Sequence, residues 1–333
     1  MSICIVGGSG FIGTRLCRRL AADPQVGTEG FSIVDKVQGA AFPAQTRVAD
    51  VRDLVALQAA VGAAKVVVNL AAEHRDDVRP LSLYDEVNVG GARNLCEVAR
   101  ALDIRTLVFT SSVAVYGFAP VDTDETGAIA PFNDYGRTKF EAERVLRDWQ
   151  AESPQTRTLV VIRPTVVFGE QNRGNVYNLL RQIASGRFLM IGSGRNRKSM
   201  AYVENVAAFI QYALTFAPGV HTYNYIDKPD FTMNDLVAQV RQRLGKGRGV
   251  GPRLPYAVGY ALGLVADGVS RLSGRNLPVS AIRVKKFCAN TAFNTSAYRT
   301  GFEAPVTLQD ALARTVQHEF LESHVGEAEY FSE

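Results

Sequence analysis

The chain has 333 residues, of which 47% are hydrophobic and 21% charged, and its formal net charge is +4. That composition is globular, with room for one large core or two smaller ones. So slight a charge argues against nucleic acid as the main partner, while a local basic site for an anionic small molecule stays open.

Residues 3–6 (ICIV) form a short apolar strand, with no signal segment ahead of it. Gly7, Gly10 and Gly13 follow at once, and an amphipathic helix continues through Leu16 and Leu20. Placed there, Gly7 serves the tight turn, Gly10 the approach of a pyrophosphate, and Gly13 close helix packing. Phe11 and Ile12 lie in the same turn, where backbone N–H groups and the helix dipole meet phosphates. The second strand, 31–35, ends in Asp35, about twenty residues past the glycines, as a carboxylate for adenosine ribose hydroxyls would. The same charge repels a ribose 2′-phosphate, which favours NAD over NADP. A loop-capping carboxylate is the alternative for Asp35. Asp53 is placed to N-cap the next helix.

Residues 66–72 (VVVNLAA) read as a third strand whose small C-terminal residues let a cofactor lie close. A charged loop of Glu73, His74, Arg75, Asp76 and Asp77 follows, in which His74 is placed to touch substrate, though a lone loop histidine is more often solvated. One helix is expected from about Leu81 to Leu102, with Gly90 and Gly91 marking close packing. Residues 107–112 (LVFTSS) form a buried strand that ends in Thr110, Ser111 and Ser112, at the end of an open sheet where ligands bind. The next helix carries Tyr135 and Lys139 four apart, on one face. A lysine cation beside a tyrosine favours the phenolate, a general base, and a neighbouring serine can hold the substrate oxygen.

Beyond residue 165 a helix starts near Asn175, and residues 191–198 (IGSGRNRK) form a basic glycine-rich loop. Arg195, Arg197 and Lys198 there suit a diphosphate. Residues 254–266 are the most apolar stretch, too short to span a bilayer. A substrate-lobe helix is the main reading and a shallow membrane contact the minor one. Cys4, Cys17 and Cys96 sit in apolar periodic segments as buried free thiols, which suits a reducing cytoplasm.

The glycine loop, Asp35, Asp50 with Val51, residues 69–72, residues 110–117 (TSSVAVYG), residues 135–139 (YGRTK) and Arg163 with Pro164 occur in order. Together they resemble the extended short-chain dehydrogenase/reductases, in the NAD-dependent nucleotide-sugar epimerase/dehydratase branch. The resemblance implies an α/β fold: a doubly wound parallel (Rossmann) sheet over residues 1–165, and a smaller mixed α/β substrate lobe over 166–333. Later strands are free to join the sheet. It implies Ser112, Tyr135 and Lys139 as catalytic residues. It places the cofactor against Gly7, Gly10, Phe11, Ile12, Gly13, Asp35, Asp50, Val51, Leu70, Ala71, Ala72, Asn88, Thr110, Tyr135, Lys139 and Pro164. The substrate falls to Ser112, Asn175, Arg195, Lys198 and Arg283, with no metal. A homodimer is the expected assembly.

The implied activity is NAD-dependent chemistry at C4 of a nucleotide sugar, with a UDP-sugar 4-epimerase leading. A 4-keto-sugar reductase and a hydroxysteroid-type dehydrogenase stay open, as does a non-catalytic NAD sensor. Dehydratases of the branch carry an acidic pair after the catalytic hydroxyl; Val113 and Ala114 stand there, which excludes 4,6-dehydration. Val166 stands where the epimerases usually have a substrate-touching asparagine.

Overall fold

The structure is a computed structural model and describes residues 2–75, 78–273, 280–324 and 326–331. Asp76 and Asp77 of the charged loop lie outside these. The first half runs β1 (Ile3–Val6), α1 (Phe11–Ala22), β2 (Phe31–Asp35), β3 (Thr46–Val48), α2 (Leu54–Val61) and β4 (Val66–Asn69). It continues through α3 (Ser82–Tyr84), a π-helical segment (Asp85–Gly90), α4 (Gly91–Ala101), β5 (Thr106–Thr110) and α5 (Asp134–Ala151). Then come β6 (Thr158–Pro164), β7 (Val166–Phe168), α6 (Asn175–Ala184), β8 (Met190–Ile191), β9 (Arg197–Tyr202) and α7 (Val203–Ala213). The chain closes with β10 (Gly219–Tyr225), β11 (Asp227–Thr232), α8 (Met233–Arg243), β12 (Arg253–Leu254), α9 (Tyr256–Ser273), α10 (Ala281–Cys288) and α11 (Leu308–Phe320).

Seven strands form one parallel sheet in the order β10-β6-β5-β4-β1-β2-β3. Successive residues of β1 point to opposite faces, and both faces are covered. Ile3 and Ile5 join a core with Leu16, Leu20 and Phe209, whereas Cys4 and Val6 join one with Leu95, Leu146 and Trp149. Burial on both sides explains why the strands read as unbroken apolar runs. The order reverses between β1 and β4, and at such a switch point a crevice opens beyond the strand ends.

The later chain contributes to both lobes. β10 pairs with β6 at one edge of the main sheet. β11, β9 and β7 make a three-stranded sheet, β12 and β8 a two-stranded one, and Phe168, Leu180, Tyr202, Leu236 and Leu312 share a separate core. A buried ion pair lies inside the main lobe. Arg163 donates to both carboxylate oxygens of Glu143 at 2.8 and 2.6 Å, with neither side chain more than 4% exposed. Its other nitrogen donates to the Tyr116 hydroxyl, which donates to Asn224 on β10.

The expected single helix from 81 to 102 carries a π segment at Asp85–Gly90, which periodicity does not reveal. Gly91 packs as expected: a Cβ there would meet Val51 Cγ2 at 2.9 Å. Gly90 does not, since its nearest neighbour is the Asp85 carbonyl of its own turn, 3.6 Å away. Among the described residues no helix is long and apolar enough to cross a membrane.

Candidate active site

The ends of β1, β4, β5 and β6 surround a cavity of about 530 Å³, inside the range of small-molecule sites. Gly7, Gly10, Phe11, Ile12, Gly13, Leu70, Ala72, Thr110, Ser112, Tyr135, Lys139 and Pro164 all line it. The glycine loop is shaped by contact. Gly7 has φ +80°, and a Cβ there would lie 2.6 Å from the Ala71 nitrogen. A Cβ on Gly10 would meet only the Gly7 carbonyl, at 3.4 Å, so its outer side stays open to a ligand. Gly13 packs on Gly8 rather than on the strand itself.

Asn133 caps α5, its side chain accepting from the Gly136 nitrogen at 2.9 Å. The capped first turn presents Tyr135 to the cavity. One turn on, Lys139 is 2% exposed. Its Nζ donates to the Thr110 carbonyl at 2.8 Å and sits 4.8 Å from the centre of the Phe109 ring. Burial pushes its pKa down to about 7, against a smaller upward pull from Glu143. Ser112 caps the short 3₁₀ turn Val113–Tyr116, its Oγ accepting from the Ala114 nitrogen at 3.1 Å. The Ser112 hydroxyl proton therefore remains available to a substrate oxygen. Val113 and Ala114 line the wall beside it, and no Asp or Glu lines the cavity among the described residues.

Two further polar residues, named in the sequence but given no site role there, stand at the cavity. The Ser111 Oγ is buried there without a hydrogen-bond partner. A buried hydroxyl left so is costly and marks a place where a ligand completes the bonding. His74 lines the cavity instead of standing in solvent, and burial holds its pKa below the usual histidine value. Val166, Ser199, Thr291 and Phe293 close the far side, the last two from near the end of the chain.

Other expected site residues have different tasks. Asn88 is 3% exposed, and its amide clamps both backbone groups of Glu73 and reaches the Thr138 hydroxyl. Its side chain is thus spent on the fold and does not reach the cavity. Asp35 accepts from the Ser9 nitrogen at 3.0 Å and the Val37 nitrogen at 3.3 Å, fastening the glycine loop. Asp50 pairs with Arg52 at 2.8 Å, the Val51 carbonyl accepts from Asn94, and the Ala71 nitrogen donates to Asn69. None of these four is in the cavity wall. Asp53 caps α2 as expected.

The basic loop is drawn away from the cavity. Lys198 donates to the Lys286 and Ala289 carbonyls at 3.0 and 2.8 Å, closing the C-terminal end of α10. Arg197 pairs with Asp122 at 2.6 Å. Arg195 and Arg283 are exposed, and Asn175 is the first residue of α6; none lines the cavity.

The open glycine cradle and the unpartnered Ser111 hydroxyl fit a dinucleotide, which the residues lining this cavity would hold. Similarity to known proteins agrees with that fit. The profile of the family described as NAD dependent epimerase/dehydratase matches residues 3–225. The chain is 47% identical over 334 aligned positions, 100% of its own length and 99% of the relative's, to N-acetyl-alpha-D-glucosaminyl-diphospho-ditrans,octacis-undecaprenol 4-epimerase of Escherichia coli O157:H7. It is 29% identical to UDP-glucose 4-epimerase of Vibrio cholerae, over 95% of this chain and 94% of that one. In fold it resembles the Thermus thermophilus UDP-glucose 4-epimerase solved with NAD, at TM-score 0.72, 21% identity, and coverage of 96% and 98%. The chain therefore belongs to the NAD-dependent epimerase/dehydratase family of extended short-chain dehydrogenase/reductases, with NAD as its cofactor.

Proposed function

We propose that the chain is a 4-epimerase acting on an N-acetylhexosamine joined through a diphosphate to a polyprenol. The observation that carries this reading is the 47% identity, spread over the full length of both chains, with an epimerase named for such a substrate. UDP-sugar epimerases share the diphosphate and the sugar, so the expected C4 chemistry is common to both and the carrier is the finer point. Val166, at the position where the UDP-sugar enzymes' asparagine is expected, gives the cavity apolar surface, and Phe293 adds to it.

NAD, when bound, supplies the site where a hydride is taken from C4 and returned. Tyr135 removes the proton from the C4 hydroxyl and gives it back after the sugar has presented its other face. Ser112, with its Oγ lone pair engaged by the Ala114 nitrogen, donates its proton to the same oxygen and holds it through the change of charge. The buried Lys139 amine, tied to the Thr110 carbonyl, is fixed near the tyrosine one helical turn away. Its cationic form favours the phenolate, and with a pKa near 7 that form is lost as pH rises through neutrality in the cofactor-free protein. Val113 and Ala114 offer no acid to expel water, which leaves epimerisation and simple reduction. Epimerisation is favoured because the full-length relative is an epimerase. Four free cysteines, three of them buried, suit work in a reducing cytoplasm.

The test is to incubate purified protein and NAD with polyprenyl-diphosphate GlcNAc, UDP-GlcNAc and UDP-glucose, and to separate the sugars released by mild acid. Conversion of the lipid-linked sugar to its C4 epimer, well ahead of the UDP-sugars, is expected. Preferential conversion of UDP-sugars would overturn the carrier. Stoichiometric consumption of NADH with a 4-keto sugar, and no epimer, would make the protein a reductase.

A further inference from the structure

α9 is inside out. Its inward face carries Gly259 and Gly263, whose added Cβ atoms would lie 2.7 Å from Ile191 Cγ2 and 2.7 Å from Ala281 Cα. Its outward face carries Val258, Leu262, Val265 and Val269, which are 46%, 54%, 65% and 47% exposed. Those four recur at i, i+4, i+7 and i+11, so they form one straight stripe along the helix. Tyr256 and Leu264, off the stripe, are also exposed. Asp267 is the one acid of α9, and it is turned inward to accept from the Ala281 nitrogen at 3.1 Å. A helix facing water has the opposite arrangement, and scattered exposed apolar residues do not fall into such a row.

Cations edge this face. Arg271 near the end of α9 is exposed, and so are Arg283, Lys285 and Lys286 on α10, with Ile282 beside them at 54% exposure. From α10, contacts run toward the active site. Lys286 Nζ lies 5.8 Å from the Phe132 ring, which stacks at 4.7 Å on Phe118. Both rings are exposed, and Phe118 directly follows Gly117 of the cavity wall. Phe132 and Phe118 thus stand between Lys286 of α10 and the cavity wall.

We propose that α9 lies in the headgroup–acyl boundary of an anionic phospholipid bilayer. The Val258–Leu262–Val265–Val269 stripe enters the acyl region, and the α10 cations meet lipid phosphates. The helix lies in the plane of the membrane, since it is not apolar enough to span it. Resting on the polyprenol reading above, the inference adds a delivery route: the substrate's lipid tail stays in the bilayer along α9, and Phe118 and Phe132 guide the sugar diphosphate to the cavity.

The experiment is co-sedimentation of the full-length protein with vesicles of phosphatidylglycerol and phosphatidylethanolamine, and with vesicles of phosphatidylcholine alone. Wild type is expected to pellet with the anionic vesicles and to be partly released by high salt. Leu262→Asp with Val265→Asp, at exposed positions, should lower vesicle affinity about tenfold or more. Lys285→Glu with Lys286→Glu should remove the preference for anionic lipid. NAD titration of each variant checks that the fold is retained. Wild type remaining in the supernatant with both vesicles would overturn the proposal, as would a Leu262→Asp, Val265→Asp protein that pellets like wild type. A variant that merely halves the mass of the particle in analytical ultracentrifugation, with no vesicle binding by wild type, would assign the face to a second copy of the chain. Vesicle binding is read without substrate, so it stands or falls separately from turnover of the polyprenyl sugar.

Discussion

α5 and α9 are both 18 residues long, and they solve opposite problems. α5 buries Ala142, Leu146 and Trp149 completely against the main sheet. It turns Arg137 outward into a cluster of ion pairs with Asp85, Asp134 and Glu141. α9 puts Gly259 and Gly263 inward and Val258, Leu262, Val265 and Val269 outward. The difference teaches where water is meant to be. α5 obeys the amphipathic rule because one side is core and the other solvent. α9 breaks it along its exposed face, and such local violations concentrate where a protein meets something other than water.

If α5 is the rigid carrier of the chemistry, its first turn should show the largest effect. Tyr135→Phe keeps the ring and removes the proton-transfer group, so turnover should fall by about 10²–10⁴-fold while NAD still binds. Single-turnover assays with parallel cofactor titration would check both halves. Near-normal turnover would place the base elsewhere.

The inward face of α5 makes the next prediction. Glu143→Ala leaves the Arg163 guanidinium buried with only Tyr116 as a partner among the contacts described above. A cost of about 3–5 kcal/mol is expected, as for breaking any buried ion pair from one side. Urea unfolding of the two proteins measures it. A loss below about 1 kcal/mol would mean that the pair is solvated in solution.

Lys139 adds a pH signature to the same face. Burial lowers its pKa from 10.5 to about 7, so above that pH the folded protein holds it neutral while the unfolded chain still binds the proton. Unfolding then takes up a proton, and stability should rise with pH from about 7 towards 10. Lys139→Met removes this slope, so the difference between the two cofactor-free proteins in urea should grow with pH in wild type's favour. A difference independent of pH would show that the amine stays charged in the fold.

Much of this was legible in the sequence, for a physical reason. Parallel strands covered on both faces are continuous apolar runs, so β1, β4, β5 and β6 announce themselves, and Tyr135 and Lys139 share a face by helical spacing alone. What escaped depends on long-range contact. Thr291 and Phe293 reach the cavity only because the chain folds back after α10. Asn88 and Lys198 have the right chemistry for ligands, but Glu73 and the end of α10 claim their side chains. The π segment at Asp85–Gly90 changes the helical period itself, which no 3.6-residue pattern detects. Residues 254–266 could be read as apolar, with a membrane contact as the minor reading, but which side faces outward could not be read. That depends on what the two glycines pack against.

On α9 the usual expectation for helix glycines is reversed. In an exposed helix interior, Gly→Ala gains about 1 kcal/mol of helix propensity. At Gly263 the new methyl would meet the backbone of Ala281, at 2.7 Å from Cα and from N, where nothing flexible can yield. Gly263→Ala is therefore expected to destabilise by about 1–3 kcal/mol, as overpacking does, and to loosen α9 from α10. Thermal unfolding together with limited proteolysis between the two helices reads it. A stabilised variant would show that the two helices do not pack this closely.

The smallest effect on stability sharpens the comparison most. Leu146 on α5 and Leu262 on α9 are the same residue type in helices of equal length, at 0% and 54% exposure. Truncating Leu146 to Ala removes packed atoms and leaves a cavity, at a cost of about 2–5 kcal/mol. Leu262→Ser removes a side chain that touches mainly solvent in the isolated chain, and should change stability by no more than about 0.5 kcal/mol in either direction. The two changes, measured by denaturant unfolding without lipid, separate a core leucine from one that has no folding role. Residue for residue, α9 then keeps its leucines and valines for something outside the chain. A cost for Leu262→Ser approaching that of Leu146→Ala would contradict this, because it would mean that the stripe is already covered by protein in solution.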